Sequence, residues 1–134
     1  MITEKDLMDL PAVLLVEDNI INANVVKIYL KDICRITHCK DGVNAIDRAN
    51  CNEFELILMD INLGKGIDGI TTSKEIRKIE RYKETPIVAV TGYSFESDKE
   101  RFLSEGLTHY LSKPFSKEEI TNLVRDILDS QRTC

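Results

Sequence analysis

Short apolar runs in this sequence keep ending in side chains that can do chemistry. Glu17 and Asp18 follow Ala12–Val16, and Asp60 follows Glu55–Met59. Thr91 and Gly92 follow Pro86–Val90, while Lys113 and Pro114 follow His109–Ser112. Each has an ordinary explanation alone. Acidic residues after a strand often cap the next helix or sit in its first turn, an aspartate is common in loops, and a lysine is usually solvated. That explanation would have to be repeated at four separate run ends, so a shared purpose is the better account.

If the runs are strands of one sheet, three carboxylates, a hydroxyl and an ammonium converge at one edge. Carboxylates a few ångströms apart repel by about 4 kcal/mol per pair at an effective dielectric near 20, so protons or a cation must neutralise them. Hard oxygen ligands suit Mg²⁺, which takes one or two carboxylates and keeps waters and phosphate oxygens around it. Lys113 can pair with Asp60 or with an incoming phosphoryl group. The Thr91 hydroxyl can donate to a phosphate oxygen, and Gly92 lets that oxygen approach the backbone. A carboxylate so placed can attack phosphorus and carry the group as an aspartyl phosphate. In such transfers the protein mainly supplies position and charge stabilisation.

The elements needed to bring these residues together are legible. Ala12–Val16, Glu55–Met59 and Pro86–Val90 are continuous apolar runs, the pattern of strands buried on both faces of a parallel sheet. Ile33–Thr37 and His109–Ser112 are weaker strands. Between them, helices are predicted over Asn22–Lys31 (stripe Val25, Val26, Tyr29, Leu30), Val43–Ala49, Gly69–Glu80 (stripe Ile70, Ile76, Ile79) and Ser97–Glu105, the last ending at Gly106 as a C-cap. Ser116 and Glu119 form a capping box for a final helix with Ile120, Leu123, Val124, Ile127 and Leu128 inward. Five strands alternating with five helices imply a doubly wound, three-layer α/β sandwich with a five-stranded parallel sheet. Ligands of such folds sit at the carboxyl ends of the strands, where the five side chains lie.

Bulk properties narrow the class. A chain of 134 residues makes one domain, expected over residues 12–130, with 1–11 an extension or linker and 131–134 a tail. The net charge of −5 and the scattered basic residues argue against nucleic acid, which needs a concentrated basic patch. No apolar run reaches membrane-spanning length, and Met1–Leu10 is unlike a secretory signal, so a cytoplasmic protein without membrane contact is expected. Cys34, Cys39, Cys51 and Cys134 form no CxxC pair and read as reduced thiols. His38 and His109 lie outside any long helical pattern and are not phosphodonor candidates.

Together, Leu15-Val-Glu-Asp-Asn19, Leu58-Met-Asp-Ile61, Asp68-Gly69, Val90-Thr-Gly92 and Lys113-Pro-Phe115 resemble the receiver domains of two-component response regulators and hybrid histidine kinases, of CheY-like (flavodoxin-like) fold. The resemblance runs from about Ala12 to Leu128. It implies that Asp60 is the phosphoacceptor and that Asp18, Asp60 and the carbonyl of Asn62 bind Mg²⁺, with Glu17 acting through water. It also implies that Thr91 and Lys113 contact the phosphoryl oxygens, and that Thr91 and Tyr110 form a switch moving the face made by the fourth helix, last strand and final helix. The donor would be a histidine kinase or a histidine phosphotransfer protein. The output partner is unknown, a homodimer is left open, and the chain would catalyse only its own phosphorylation and dephosphorylation. The Lys113–Pro114 bond would be cis, and Asn19 with Asn22 hints at a receiver attached to a sensor kinase.

Two departures stand out. Leu63-Gly64 replaces a common Met-Pro pair in a loop about one residue longer than usual, which bears on loop geometry and dephosphorylation rate. Tyr93 is bulky enough to shield the phosphoryl group from water, although a surface position explains it equally well. Three rival readings fare worse. A haloacid-dehalogenase-type phosphatase needs a second aspartate where Asn62 stands. A flavodoxin-like FMN binder would meet repulsion from Glu17-Asp18-Asn19. A binding-only receiver fold has no residue in its favour.

Overall fold

Three of the strands are short and almost wholly apolar, so they can only be interior, and the helices lie over both faces of the sheet. The computed structural model describes residues 9–64, 66–92 and 96–132, with 96–99 and 132 described by backbone alone. Strands β1 (Ala12–Val16), β2 (Arg35–Cys39), β3 (Leu56–Asp60), β4 (Ile87–Thr91) and β5 (His109–Ser112) form one sheet in the order β2-β1-β3-β4-β5. Every pairing is parallel. The helices are α1 (Ile20–Leu30), α2 (Gly42–Cys51), α3 (Gly69–Arg77), α4 (Glu96–Ser104) and α5 (Lys117–Arg132), with a 3₁₀ turn at Glu80–Tyr82.

Alternation along each strand divides the core in two. Val13, Leu15, Leu56, Leu58, Val88 and Val90 pack against Ala23, Val26 and Leu30 of α1 and Ile120, Val124 and Ile127 of α5. Their neighbours Leu14, Val16, Ile57, Met59, Ile87 and Ala89 pack against Ala45, Ala49, Ile70, Ile76 and Phe102 of α2, α3 and α4. This is the three-layer, doubly wound sandwich expected from the sequence. No helix among the described residues is long and apolar enough to cross a membrane.

Element ends shift by local chemistry. Helix α1 begins at Ile20 because Asn19 caps it, its side chain accepting from the Asn22 N–H at 2.9 Å. Ala23 then takes the inward place expected of Val25, which is 37% exposed. The edge strand β2 begins two residues late, since the Ile33 and Cys34 amides still bond to the Leu30 carbonyl. Helix α3 stops at Arg77, leaving Ile79 ahead of the 3₁₀ turn. The capping box forms, Ser116 N–H to Glu119 Oε1 at 3.0 Å and Glu119 N–H to Ser116 Oγ at 3.1 Å. Gly106, after α4, has φ +96°. Cys34 and Cys39 are buried free thiols and Cys51 is exposed; Cys134 lies outside the described residues, as does most of the expected extension and tail.

Candidate functional site

The carboxyl ends of β1, β3, β4 and β5 meet, and the chemistry-bearing residues meet with them. Glu17 extends β1 by donating its N–H to the Cys39 carbonyl at 3.0 Å, which buries its side chain at 4% exposure. Asp60 and Thr91 are the last residues of β3 and β4, and both are buried. Beside them, the Lys113 N–H donates to the Thr91 carbonyl at 2.8 Å, and the Lys113–Pro114 peptide is cis. Oxygens of Glu17, Asp18 and Asp60 all lie within 4.8 Å of one another. They open into a cleft of about 440 Å³ that Asn19, Asn22, Asn62, Gly92 and Lys113 also line.

Each buried carboxylate is oriented. Glu17 accepts from the Asn19 N–H at 3.2 Å and from Lys113 Nζ at 3.0 Å. Asp60 accepts from the Asn62 N–H at 3.0 Å on Oδ1 and from Lys113 Nζ at 3.3 Å on Oδ2. Burial works to lower the Lys113 pKa, but the hydrogen bond it donates to Glu17 and the charges of Asp60 and Glu17 outweigh it, and the net direction is up. Lys113 therefore stays a cation between the two carboxylates. Asp18 is exposed at the cleft mouth. Gly69 meets a different demand: a Cβ there would collide with the Asp60 carbonyl, so only glycine lets α3 start against the end of β3.

The donor set fits a hard divalent cation. Three carboxylates opposed by one ammonium carry excess negative charge, and clustered oxygens beside an open cleft are what Mg²⁺ accepts. Asn62 lines that cleft with its N–H already committed to Asp60. Tyr110 does not line it. It sits beside Ala89 in register and packs its ring on Phe102, centroids 6.4 Å apart, on the α2–α4 side of the sheet. Tyr93 falls outside the described residues. Sequence reasoning gave no role to His38, whose Nε2 lies 2.6 Å from the Glu17 carbonyl. Nor did it find an apolar cleft of about 420 Å³ that runs from Asp60 and Lys113 between Val26 and Ile120, walled by Leu58 and Phe115. Both arise from contacts between distant segments that no local pattern carries.

The family model described as response regulator receiver domain matches residues 13–125. The chain belongs to that family. Among curated relatives, this receiver domain is 34% identical over 113 residues to the signal transduction histidine-protein kinase BarA of Escherichia coli strain K12, a match spanning 84% of this chain and 12% of that protein. It is 36% identical over 109 residues to the transcription factor SKN7 of Candida albicans, spanning 81% of this chain and 19% of that one. The receiver domain thus spans a small part of the length of these relatives. Among solved structures, chemotaxis protein CheY4 of Vibrio cholerae superposes with a TM-score of 0.83 at 28% identity, over 88% of this chain and 98% of that one. The receiver domain of sensor histidine kinase PA1611 from Pseudomonas aeruginosa, solved with a magnesium ion coordinated in its active site cleft, gives a TM-score of 0.81 at 33% identity, over 90% of this chain and 98% of that one. The fold is therefore CheY-like, and the receiver domain is a module of two-component phosphotransfer.

Proposed function

We propose that Asp60 accepts a phosphoryl group from the phosphohistidine of a kinase or histidine phosphotransfer protein, with Mg²⁺ held by Asp18, Asp60 and the Asn62 carbonyl and with Glu17 acting through water. A carboxylate oxygen of Asp60 forms the new P–O bond while the P–N bond to the donor imidazole breaks and the ring nitrogen keeps the electron pair. Bound Mg²⁺ would supply positive charge to the phosphoryl oxygens. The chain's own residues do the rest. Lys113 moves its ammonium from Asp60 to the arriving phosphoryl group, Thr91 donates its hydroxyl to a second oxygen, and Gly92 leaves the backbone open to a third.

The observation that carries this reading is a buried Asp60 within 4.8 Å of two further carboxylates and 3.3 Å from the Lys113 ammonium. The output is a population shift: Thr91 moves toward the phosphate, Tyr110 follows, and the face of α4, β5 and α5 changes for its partner. The domain acts in the cytoplasm and catalyses only its own phosphorylation and dephosphorylation. Incubation with acetyl phosphate, with and without Mg²⁺, tests this by mass. The expected result is one added phosphoryl group on the wild type, dependent on Mg²⁺ and absent from Asp60→Asn. A folded wild type that neither gains the group nor binds Mg²⁺ would overturn the reading.

A further inference from the structure

The loop between β3 and α3 contains two glycines in the left-handed region, Gly64 at φ +76° and Gly66 at φ +78°. Either would strain an ordinary residue by about the same amount. Their surroundings differ. A Cβ on Gly66 would meet nothing within 4 Å, whereas a Cβ on Gly64 would stand 2.9 Å from Oδ2 of Asp18. At position 66 the backbone alone accounts for glycine; at position 64 a Cβ would in addition crowd the Asp18 carboxylate.

The loop is held in that position. Leu63, immediately before, is 2% exposed and part of the core under α2 and α3. The Asn62 N–H is tied to Asp60 and the Gly69 N–H to the Ile61 carbonyl at 3.0 Å. Glu17 and Asp60 are each oriented by hydrogen bonds. Among the described residues none donates to the Asp18 carboxylate, whose Oδ2 stands where a Cβ on Gly64 would crowd it, at 2.9 Å.

We infer that Gly64 is a positioning residue for the metal site: its bare backbone, pinned by Leu63, leaves the Asp18 carboxylate the space it needs to join Glu17 and Asp60 around the cation. The inference rests on the Mg²⁺ reading proposed above. A methyl group at 64 displaces the tip of an exposed, flexible side chain, which costs the fold little and the cation site much.

The test compares Gly64→Ala with Gly66→Ala, which share the backbone penalty but not the contact. Melting temperatures are measured in EDTA, and Mg²⁺ dissociation constants by titration calorimetry on the folded proteins. Both variants should lose similar melting temperature. Gly64→Ala should weaken Mg²⁺ by roughly tenfold or more, the usual scale for residues that orient a metal ligand, while Gly66→Ala stays within about twofold of wild type. Gly64→Asn, which tolerates the left-handed region but keeps the Cβ, should reproduce the tenfold loss even if the alanine variant folds poorly. Unchanged affinity in Gly64→Ala and Gly64→Asn, or an equal loss in Gly66→Ala, would overturn the inference while leaving the metal reading intact. A wild type that binds no Mg²⁺ would overturn both.

Discussion

Replacing Lys113 by methionine keeps the apolar stem and removes the cation that sits 3.0 Å from Glu17 and 3.3 Å from Asp60. At an effective dielectric near 20, each attraction is about 5 kcal/mol before the cost of desolvating the three groups. Stripping the partner from a buried ion pair typically costs about 3–5 kcal/mol, because the remaining charge stays buried. The two carboxylates are only 5% and 7% exposed, but the lysine side chain is 27% exposed, so solvent screening brings the expected loss to about 2–3 kcal/mol. For a domain of this size that is a fall of roughly 10 °C in melting temperature. The loss should be full in EDTA and should shrink as Mg²⁺ is added, since a divalent cation can neutralise the same oxygens and bind more tightly where no ammonium competes. Saturation a hundredfold above the dissociation constant adds about 2.7 kcal/mol. The pH dependence has a definite sign. The Lys113 pKa is raised in the folded protein above its ordinary 10.5, so its contribution is complete below that value and is lost only as pH rises beyond it. The deficit of the variant should therefore be constant between about pH 6 and pH 9. Chemical denaturation with EDTA or Mg²⁺ at several pH values decides the matter. A variant as stable as wild type in EDTA, or a deficit indifferent to Mg²⁺, would refute the view of Lys113 as the counter-ion of the resting site.

Two further outcomes follow from the structure away from the site. The Arg77 guanidinium donates to the Gly106 carbonyl at 2.7 and 3.1 Å and to the carbonyls of Tyr82 and Thr85 at 2.6 Å each, so Arg77→Met should cost about 3 kcal/mol by leaving those acceptors short of donors; denaturant titration with an unchanged m-value checks it. Burial pushes the Cys34 thiol up to about 12 while Cys51 is exposed, so peptide mapping after alkylation at neutral pH should find Cys51 modified promptly and Cys34 only on unfolding; comparable rates would contradict the burial of Cys34.

What could be read in advance tracks how strongly each segment is constrained by its own residues. Strands β1, β3 and β4 are buried on both faces, so their apolar runs announced them to within a residue. Strand β2 lies at the sheet edge with half-buried residues, and its mixed pattern placed it two residues early. Helix α1 was begun too late because Ile20 and Ile21, at 63% and 69% exposure, break the rule that apolar residues face inward; the cap at Asn19 is the better signal. Residue types at four strand ends announced the site, since carboxylates, a hydroxyl and a lysine rarely end four strands of one sheet without a common use. The pairing of Lys113 with Asp60 was legible from the residue types, but the finer arrangement was not. That Lys113 also reaches Glu17, or that a Cβ on Gly64 would crowd Asp18, depends on a tertiary approach between segments far apart in the chain, and sequence spacing carries no information about such contacts.

The charges in the cleft account for why metal and phosphate should act together. Glu17, Asp18 and Asp60 bring three negative charges and Lys113 brings one positive, which leaves the resting cleft at minus two. A divalent cation brings it to zero. Phosphorylation replaces the single charge of Asp60 by roughly two on the phosphoryl group, so without a metal the cleft would reach about minus three with one lysine to serve every anion. With the metal it stays near minus one, and Lys113 is free to leave Asp60 for the phosphoryl oxygens. On the proposed reading, Mg²⁺ dependence would thus follow from the charge balance around a buried Asp60. Asp18→Asn, which makes the cleft less negative but removes an exposed carboxylate from the proposed metal site, separates the two effects. If charge alone governed the reaction the variant would phosphorylate more readily without metal; if the metal site governs, as the geometry of Asp18 and Gly64 implies, it should phosphorylate at least tenfold more slowly at limiting Mg²⁺.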